Sequence, residues 1–101
     1  MKSYSKKITP LESKLQSKII SYLTLKGWDC NKRISMSKNG YPDIECFKAG
    51  GIFMEIEVKR LGRVPDPLQQ YWIDKRVSQG FISFYADSFE MFLEKLHLLT
   101  K

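Results

Sequence analysis

The chain has 101 residues, enough for one domain with one modest hydrophobic core. Its 17 lysines and arginines outnumber 11 acidic residues, and the net charge of +6 favours a polyanion such as nucleic acid as a partner. A single histidine and the lack of a phosphate-binding glycine motif argue against histidine-rich metal sites, Ser-His or Cys-His catalysis and a nucleotide cofactor. No stretch has the character of a signal peptide or a membrane span, so we expect a cytoplasmic protein without a membrane partner.

The two cysteines, Cys30 and Cys46, have neither Cys-x-x-Cys nor zinc-type spacing. We predict that their thiols are reduced packing groups, with a disulfide as the alternative. The chain has no repeats and no low-complexity linker. We expect a basic N-terminal segment at residues 1–8 and one domain at residues 9–101.

The first predicted helix begins at Thr9 and Pro10, where Glu12 completes a capping box, and it ends at a glycine, Gly27. Apolar residues recur at helical spacing between these signals. Three strands follow. Residues 28–36 roughly alternate between apolar and polar side chains, and residues 43–48 and 52–59 flank a glycine turn.

The second predicted helix repeats the start signal at Asp66 and Pro67, and Gly80 closes it. Residues 81–86 form a short apolar strand, and residues 87–96 begin a last helix with one apolar stripe. The order α-β-β-β-α-β-α predicts a mixed α/β fold, in which helices flank a mixed four-stranded sheet.

The strongest chemical signal is an acidic face on the second and third strands. Because side chains alternate along a strand, a tight turn places Glu45 opposite Glu55 and Asp43 opposite Glu57, with Lys59 on the same face. Carboxylates that face each other across strands repel, and a divalent cation such as magnesium would relieve the repulsion. The alternative is a solvated charged face, since a Glu-x-Lys triplet also arises by chance.

Together these motifs resemble the VRR-NUC family of the PD-(D/E)xK nuclease superfamily. The resemblance spans about Thr9 to Leu96 and has the same element order. It rests on Gly40 with Pro42-Asp43, on Ile56-Glu57-Val58-Lys59, on Gly62 with Pro67-Leu68-Gln69, and on Glu12 with Gln16. The loop of residues 60–66, which ends between the near-adjacent Pro65 and Pro67, departs most from the family.

The resemblance implies a restriction-endonuclease-like αβββαβ core and a magnesium-dependent DNA endonuclease, with manganese as a substitute metal. Asp43, Glu57 and the backbone carbonyl of Val58 would bind the metal, and Lys59 would position or activate water. Family members of this size look like homodimers that cut branched DNA, including four-way junctions. The resemblance therefore implies both DNA and a second copy of the chain as partners.

Two further catalytic residues, Glu12 and Gln69, come from the same resemblance. Glu12 would support a metal or its water, and Gln69 would join the phosphate and water network. Each also has a purely structural alternative. Both occupy the third position of a capping box, where the side chain satisfies a backbone N–H.

Several cations are candidates for contacts with the DNA backbone, although each is also typical of a solvated surface. The predicted DNA-binding residues are Lys14, Lys18, Lys38, Arg60 and Arg63. Lys32 and Arg33, which flank the end of the first predicted strand, fit phosphate contacts as part of the same basic set. For Tyr71 and Trp72 we expect a role in core packing or at a dimer interface rather than in base stacking.

Two other classes of function compete with a nuclease. One is a nucleic-acid-binding module that uses a nuclease-like scaffold without catalysis. Against it, none of the proposed ligands is degraded, because Asp43, Glu57 and Lys59 are all present. The other is a dimeric structural protein whose acidic face is only solvated.

Overall fold

The computed structural model describes residues 9–33 and 40–100. The predicted basic segment at residues 1–8, residues 34–36 of the first predicted strand and the candidate Lys38 lie outside the described residues. The helices are α1 (Pro10–Leu25), α2 (Pro67–Ser78) and α3 (Phe89–Leu99), and the strands are β1 (Asp29–Lys32), β2 (Ile44–Lys48), β3 (Ile52–Val58) and β4 (Ile82–Ala86). None of these three helices is long and apolar enough to cross a membrane.

The four strands form one mixed sheet in the order β1-β2-β3-β4. β1 pairs with β2 and β2 with β3 in antiparallel fashion, whereas β3 and β4 are parallel. A parallel neighbour needs a crossover, and α2 lies in that connection. The predicted mixed four-stranded sheet with flanking helices is therefore confirmed.

The β2–β3 hairpin has the register predicted from its alternating pattern. Glu45 lies opposite Glu55, and Phe47 lies opposite Phe53. The turn between the strands uses the left-handed region, with φ at 93° for Gly50, a conformation that glycine adopts without steric cost. The acidic side chains of the two strands therefore share one face of the sheet.

The other face of the sheet carries the hydrophobic core. α1 and α3 pack there, and α1 places Ile19 and Leu23 on apolar residues of the central strands, while α3 contributes Phe92. The buried apolar strand residues on this face are Ile44, Cys46, Met54, Ile56, Val58, Phe84 and Ala86. Because these residues occupy alternate positions, the intervening side chains of β2 and β3 face α2.

Capping boxes fix the first turns of α1 and α2. Thr9 and Glu12 exchange hydrogen bonds at the start of α1, as do Asp66 and Gln69 at the start of α2, and both helices have proline in the first turn. A cap of this kind stabilises a helix by about 1 kcal/mol. Both predicted helix starts are confirmed.

Candidate active site

A tight contact with α2 fixes the loop that carries Asp43. Gly40 has a φ of 78°, and a β-carbon at this position would lie 2.6 Å from Cγ of Leu68 in the first turn of α2. Only glycine fits both the left-handed backbone and this close approach. Pro42 is fully buried, so the backbone before Asp43 is held on both sides.

Asp43 lies at the end of the hairpin beside the last residues of β3. Its Oδ2 accepts a hydrogen bond from the backbone N–H of Val58, with 2.8 Å between oxygen and nitrogen. Asp43 and Glu57 each lie one residue beyond Ile44–Ile56, the last pair of the β2–β3 ladder. Asp43 is 7% exposed and Glu57 is 0% exposed, so both acids are buried on the α2 side of the sheet.

The backbone carbonyl of Val58 lies on the strand edge that faces Asp43. Lys59 donates its backbone N–H to the carbonyl of Ala86 in β4, at 2.9 Å. Successive residues of a strand direct their backbone groups to opposite edges, so both the N–H and the C=O of Val58 point towards β2. The oxygen predicted as a third metal ligand therefore lies on the same edge as the Asp43 carboxylate.

Lys59 follows directly after β3 and reaches α2. Its Nζ donates a hydrogen bond to Oε1 of Gln69 at 3.2 Å. The same Oε1 accepts the backbone N–H of Asp66 at 2.9 Å within the capping box. Gln69 therefore caps α2 and also contacts Lys59, while its predicted place in a phosphate and water network stays a prediction.

Glu12 is a capping residue in this structure. Its Oε1 accepts hydrogen bonds from the backbone N–H and the hydroxyl of Thr9, each at 3.1 Å. No group of three His, Cys, Asp or Glu side chains within residues 9–33 and 40–100 is arranged to hold one metal. One turn later Gln16 is buried, and its Oε1 accepts no hydrogen bond from the described residues. Glu12 therefore caps α1, and its predicted role as a metal ligand stays a prediction.

Arginines neutralise the other two acids of the hairpin face. Arg33 forms ion pairs with Glu45, at 3.3 Å, and with Glu55, and Nε of Arg76 lies 3.1 Å from Oε1 of Glu55. Glu55 is fully buried. The Glu45–Glu55 repulsion expected from the sequence is therefore balanced by arginines of the same chain.

Sequence alone placed Arg33 among the surface cations and indicated no role for Arg76. Arg33 also donates to the carbonyl of Pro42 at 3.2 Å, and its side chain is 12% exposed. Two signals were available. Arg33 is the residue opposite Asp43 in the β1–β2 register, since its backbone N–H donates to the Asp43 carbonyl at 2.7 Å. Arg76 lies seven residues after Gln69 and hence on the same helix face.

Comparison with known proteins adds one likeness. No protein-family model matches the chain, and no curated protein matches its sequence. A solved structure described as a VRR_NUC domain superposes with a TM-score of 0.78, covering 92% of this chain and 100% of that one. This chain has the fold of a VRR_NUC domain. The identity is 22%, so the likeness establishes the fold, while the roles of individual residues rest on the geometry above.

The described candidates for DNA contact lie on two exposed parts of the VRR_NUC fold. Lys14 and Lys18 are exposed on α1, although Nζ of Lys18 also lies 4.4 Å from the ring centre of Phe89. Arg60 and Arg63 are exposed in the loop that follows Lys59. The two arginines are therefore close in sequence to the candidate site, and their guanidinium groups are available to an anionic ligand.

An aromatic cluster adjoins the site through the Gly40–Asp43 loop. The ring centres of Tyr41 and Trp72 are 4.5 Å apart in an edge-to-face arrangement, and those of Tyr71 and Trp72 are 5.1 Å apart. Tyr41 and Trp72 are half-buried, which fits the expected packing role. Tyr71 is 52% exposed, so it does not belong to the core of this chain.

Proposed function

We propose that the chain is a metal-dependent DNA endonuclease whose metal site is formed by Asp43, Glu57 and the carbonyl of Val58. The observation that carries the proposal is that two buried carboxylates, Asp43 and Glu57, each lie one residue beyond the Ile44–Ile56 pair on their own strands, with Lys59 two residues after Glu57. Two acids buried together are costly unless a cation offsets their charge. The VRR_NUC fold supports the same function.

The donor set fits magnesium. Hard oxygen donors suit this ion, which binds to one or two carboxylates and retains several water molecules. Asp43 and Glu57 supply two carboxylates, and Val58 supplies a carbonyl on the neighbouring strand edge. When bound, the ion polarises a phosphoryl oxygen and lowers the pKa of a water molecule. Manganese takes the same kinds of ligand and is expected to substitute.

The chain itself supplies the positive charge and the positioning. Nζ of Lys59 is fixed by Gln69 at 3.2 Å, and Gln69 is fixed in turn by the cap of α2. A lysine held in this way can orient a water molecule or contact the scissile phosphate. Arg60 and Arg63 follow Lys59 in the chain and would contact the flanking phosphates. Lys14 and Lys18 on α1 would form a second set of phosphate contacts.

Branched DNA, such as a four-way junction, is the proposed substrate class, and a homodimer is the proposed assembly. Both follow from the resemblance of the motifs to the VRR-NUC family. A two-fold dimer would present two active sites to a symmetric junction. The mass of the chain in solution, measured by light scattering at several concentrations, tests the dimer independently of cleavage.

Cleavage of labelled DNA tests the proposed activity. A four-way junction, a flap and a linear duplex of matched sequence are incubated with magnesium, with manganese or with EDTA. We expect cutting that requires the metal and is fastest on the junction. Binding to the same DNA in EDTA is expected to weaken as salt rises, because phosphate contacts release counterions.

Lys59→Ala is the matched control, because Lys59 follows β3 and contributes no core side chain. This variant is expected to bind DNA and manganese but not to cut. Metal-dependent cutting by Lys59→Ala at the wild-type rate would indicate a contaminating nuclease. Tight DNA binding without cutting of any substrate by the wild-type chain would favour the alternative function, a non-catalytic nucleic-acid-binding module.

A further inference from the structure

The two cysteines of the chain meet across neighbouring strands. Cys30 lies in β1 directly opposite Cys46 in β2. Both are free thiols, and their sulfur atoms share a hydrogen bond at 3.1 Å. The chain has no other cysteine, so each thiol has one intramolecular partner.

The hydrogen-bonding pattern of the β1–β2 ladder determines how close the two backbones are. The N–H of Arg33 donates to the carbonyl of Asp43, its opposite residue, so this is a hydrogen-bonded pair. Hydrogen-bonded and non-hydrogen-bonded pairs alternate along an antiparallel ladder. The Cys30–Cys46 pair lies three positions along the ladder from the Arg33–Asp43 pair, so it is a non-hydrogen-bonded pair. In such a pair the α-carbons are about 4.5 Å apart. This separation lies within the range that a disulfide spans, roughly 4.4–6.8 Å.

The environments of the two thiols are unequal. The hydrogen bond with Cys46 lowers the pKa of Cys30, against opposing effects of partial burial and of Asp29. The same bond, together with burial in the core, raises the pKa of Cys46. Cys30 is half-buried, whereas Cys46 is fully buried. The reactive thiolate therefore forms on Cys30, and Cys46 keeps its proton beside it.

We propose that Cys30 and Cys46 are a modification site, at which a peroxide converts the two thiols into a reversible cross-strand disulfide. The thiolate of Cys30 attacks the peroxide, the O–O bond breaks, and Cys30 becomes a sulfenic acid as hydroxide leaves. The sulfur of Cys46 then attacks the sulfur of Cys30. The S–O bond breaks, and the departing hydroxide takes the proton of Cys46 to form water. Two electrons pass from the thiols to the peroxide.

The disulfide would link edge strand β1 covalently to β2, and the candidate active site depends on the position of β1. β1 has only four residues, and just beyond its end Arg33 holds the carbonyl of Pro42 and the backbone of Asp43. A covalent link between β1 and β2 restricts the unfolded chain and stabilises this part of the sheet. Oxidation is therefore expected to raise the melting temperature of the chain.

The test titrates the reduced, full-length chain with hydrogen peroxide. Free thiols are counted with Ellman's reagent under denaturing conditions, and intact mass is recorded without reductant. We expect both thiols to disappear, the mass of a single chain to fall by two hydrogen atoms, and dithiothreitol to reverse both changes. The oxidised chain should also melt at a higher temperature than the reduced chain.

Two variants separate the steps. Cys46→Ala retains Cys30 alone, and we expect its sulfenic acid to persist and to be trapped by dimedone. Cys30→Ser retains only the buried thiol, which is expected to resist the same peroxide concentration. Addition of oxygen atoms to wild-type Cys30 without loss of the Cys46 thiol would overturn the proposal. Disulfide-linked pairs of chains in place of the internal bond, or a lower melting temperature after oxidation, would overturn it as well.

Discussion

The side chain of Asp43 is tied to the backbone of Val58, which donates its N–H to Oδ2 across 2.8 Å. This bond closes the open end of the β2–β3 hairpin beyond the last strand pair, Ile44 with Ile56. It also holds the Asp43 carboxylate beside the strand edge that carries the Val58 carbonyl. A carboxylate fixed by a backbone donor has little freedom to lose when a cation binds, which favours metal binding.

Asp43→Asn tests whether this carboxylate binds a metal. The asparagine side-chain oxygen can still accept the N–H of Val58, so the hairpin end is retained while the negative charge is lost. We expect the melting temperature to stay within about 4 °C of wild type, the shift that roughly 1 kcal/mol produces. Affinity for manganese, measured by calorimetry, should fall by on the order of a hundredfold, and cleavage should be lost.

Asp29→Asn is the matched control for the loss of one negative charge. Asp29 lies at the start of β1, where it is exposed and opposite Phe47. Manganese affinity and cleavage are expected to match wild type in this variant. If Asp43→Asn binds manganese as tightly as wild type, Asp43 is not a ligand and the proposed metal site is wrong.

The contact between Lys59 and Gln69 leads to a second prediction. Gln69→Glu keeps a residue that completes the capping box but places a negative charge 3.2 Å from Nζ of Lys59, where a phosphate is proposed to bind. We expect an unchanged melting temperature and slower cleavage, with most of the loss in kcat/KM. In contrast, Gln69→Ala removes the cap as well and is expected to lower the melting temperature by about 4 °C.

These two substitutions distinguish a capping role of Gln69 from a functional one. If Gln69→Glu cuts DNA at the wild-type rate, the contact with Lys59 has no catalytic importance. Gln70→Glu is the control, because Gln70 is next in the helix and its side chain donates to Asp74 of the same helix at 2.8 Å. Its cleavage rate is expected to remain within a few-fold of wild type.

The sequence was sufficient to predict the sheet and the hairpin register because both follow from local alternation. A turn at Gly50 leaves one register in which the apolar faces coincide, and that register places Glu45 opposite Glu55. Asp43 and Glu57 lie one residue beyond the last pair of this ladder, so their predicted pairing stays a prediction. Helix starts were equally predictable, since the capping residues Thr9 and Asp66 act within four residues of themselves.

Charge pairing between distant elements could not be predicted in the same way. Glu55 is balanced by Arg33 from β1 and by Arg76 from α2. Which arginine meets which acid depends on how α2 lies across the sheet, and helical periodicity gives a face but not a docking position. Sequence alone therefore indicated repulsion along the whole acidic face, whereas the structure places arginines beside Glu45 and Glu55, and the metal site at Asp43 and Glu57 stays a prediction.

Glu12→Gln separates the two interpretations of the first helix. Glutamine at this position keeps the capping box with Thr9, because its side-chain oxygen can accept both bonds now made by Oε1. The charge that a metal or its bound water would use is lost. Since Glu12 is not grouped with two other potential ligands, we expect cleavage, manganese affinity and melting temperature all close to wild type.

A loss of cleavage in Glu12→Gln at an unchanged melting temperature would show that Glu12 takes part in the reaction. Glu12→Ala is expected to be less stable by about 1 kcal/mol, since it leaves the N–H of Thr9 without its side-chain acceptor. Comparison of the two variants at a temperature where both are folded therefore separates stability from catalysis. Circular dichroism at that temperature verifies that both are folded.

Arg33 is expected both to stabilise the folded chain and to hold Asp43 in position. Arg33→Ala leaves Glu55 buried with only Arg76 as a partner and removes the donor to the Pro42 carbonyl. Removal of one partner of a buried ion pair costs about 3–5 kcal/mol, so a fall in melting temperature of more than 10 °C is expected. Lys32→Ala, at the exposed neighbouring position, should change the melting temperature by less than about 3 °C.

The positioning role of Arg33 needs a measurement that stability alone does not alter. At a temperature where Arg33→Ala is folded, its manganese affinity is expected to be weaker than wild type, because the loop before Asp43 has lost a tether. Glu55→Gln provides the comparison: it disturbs the same ion pairs but leaves the bonds from Arg33 to Pro42 and Asp43 in place. Equal manganese affinity in the two variants would mean that Arg33 stabilises the sheet without positioning Asp43.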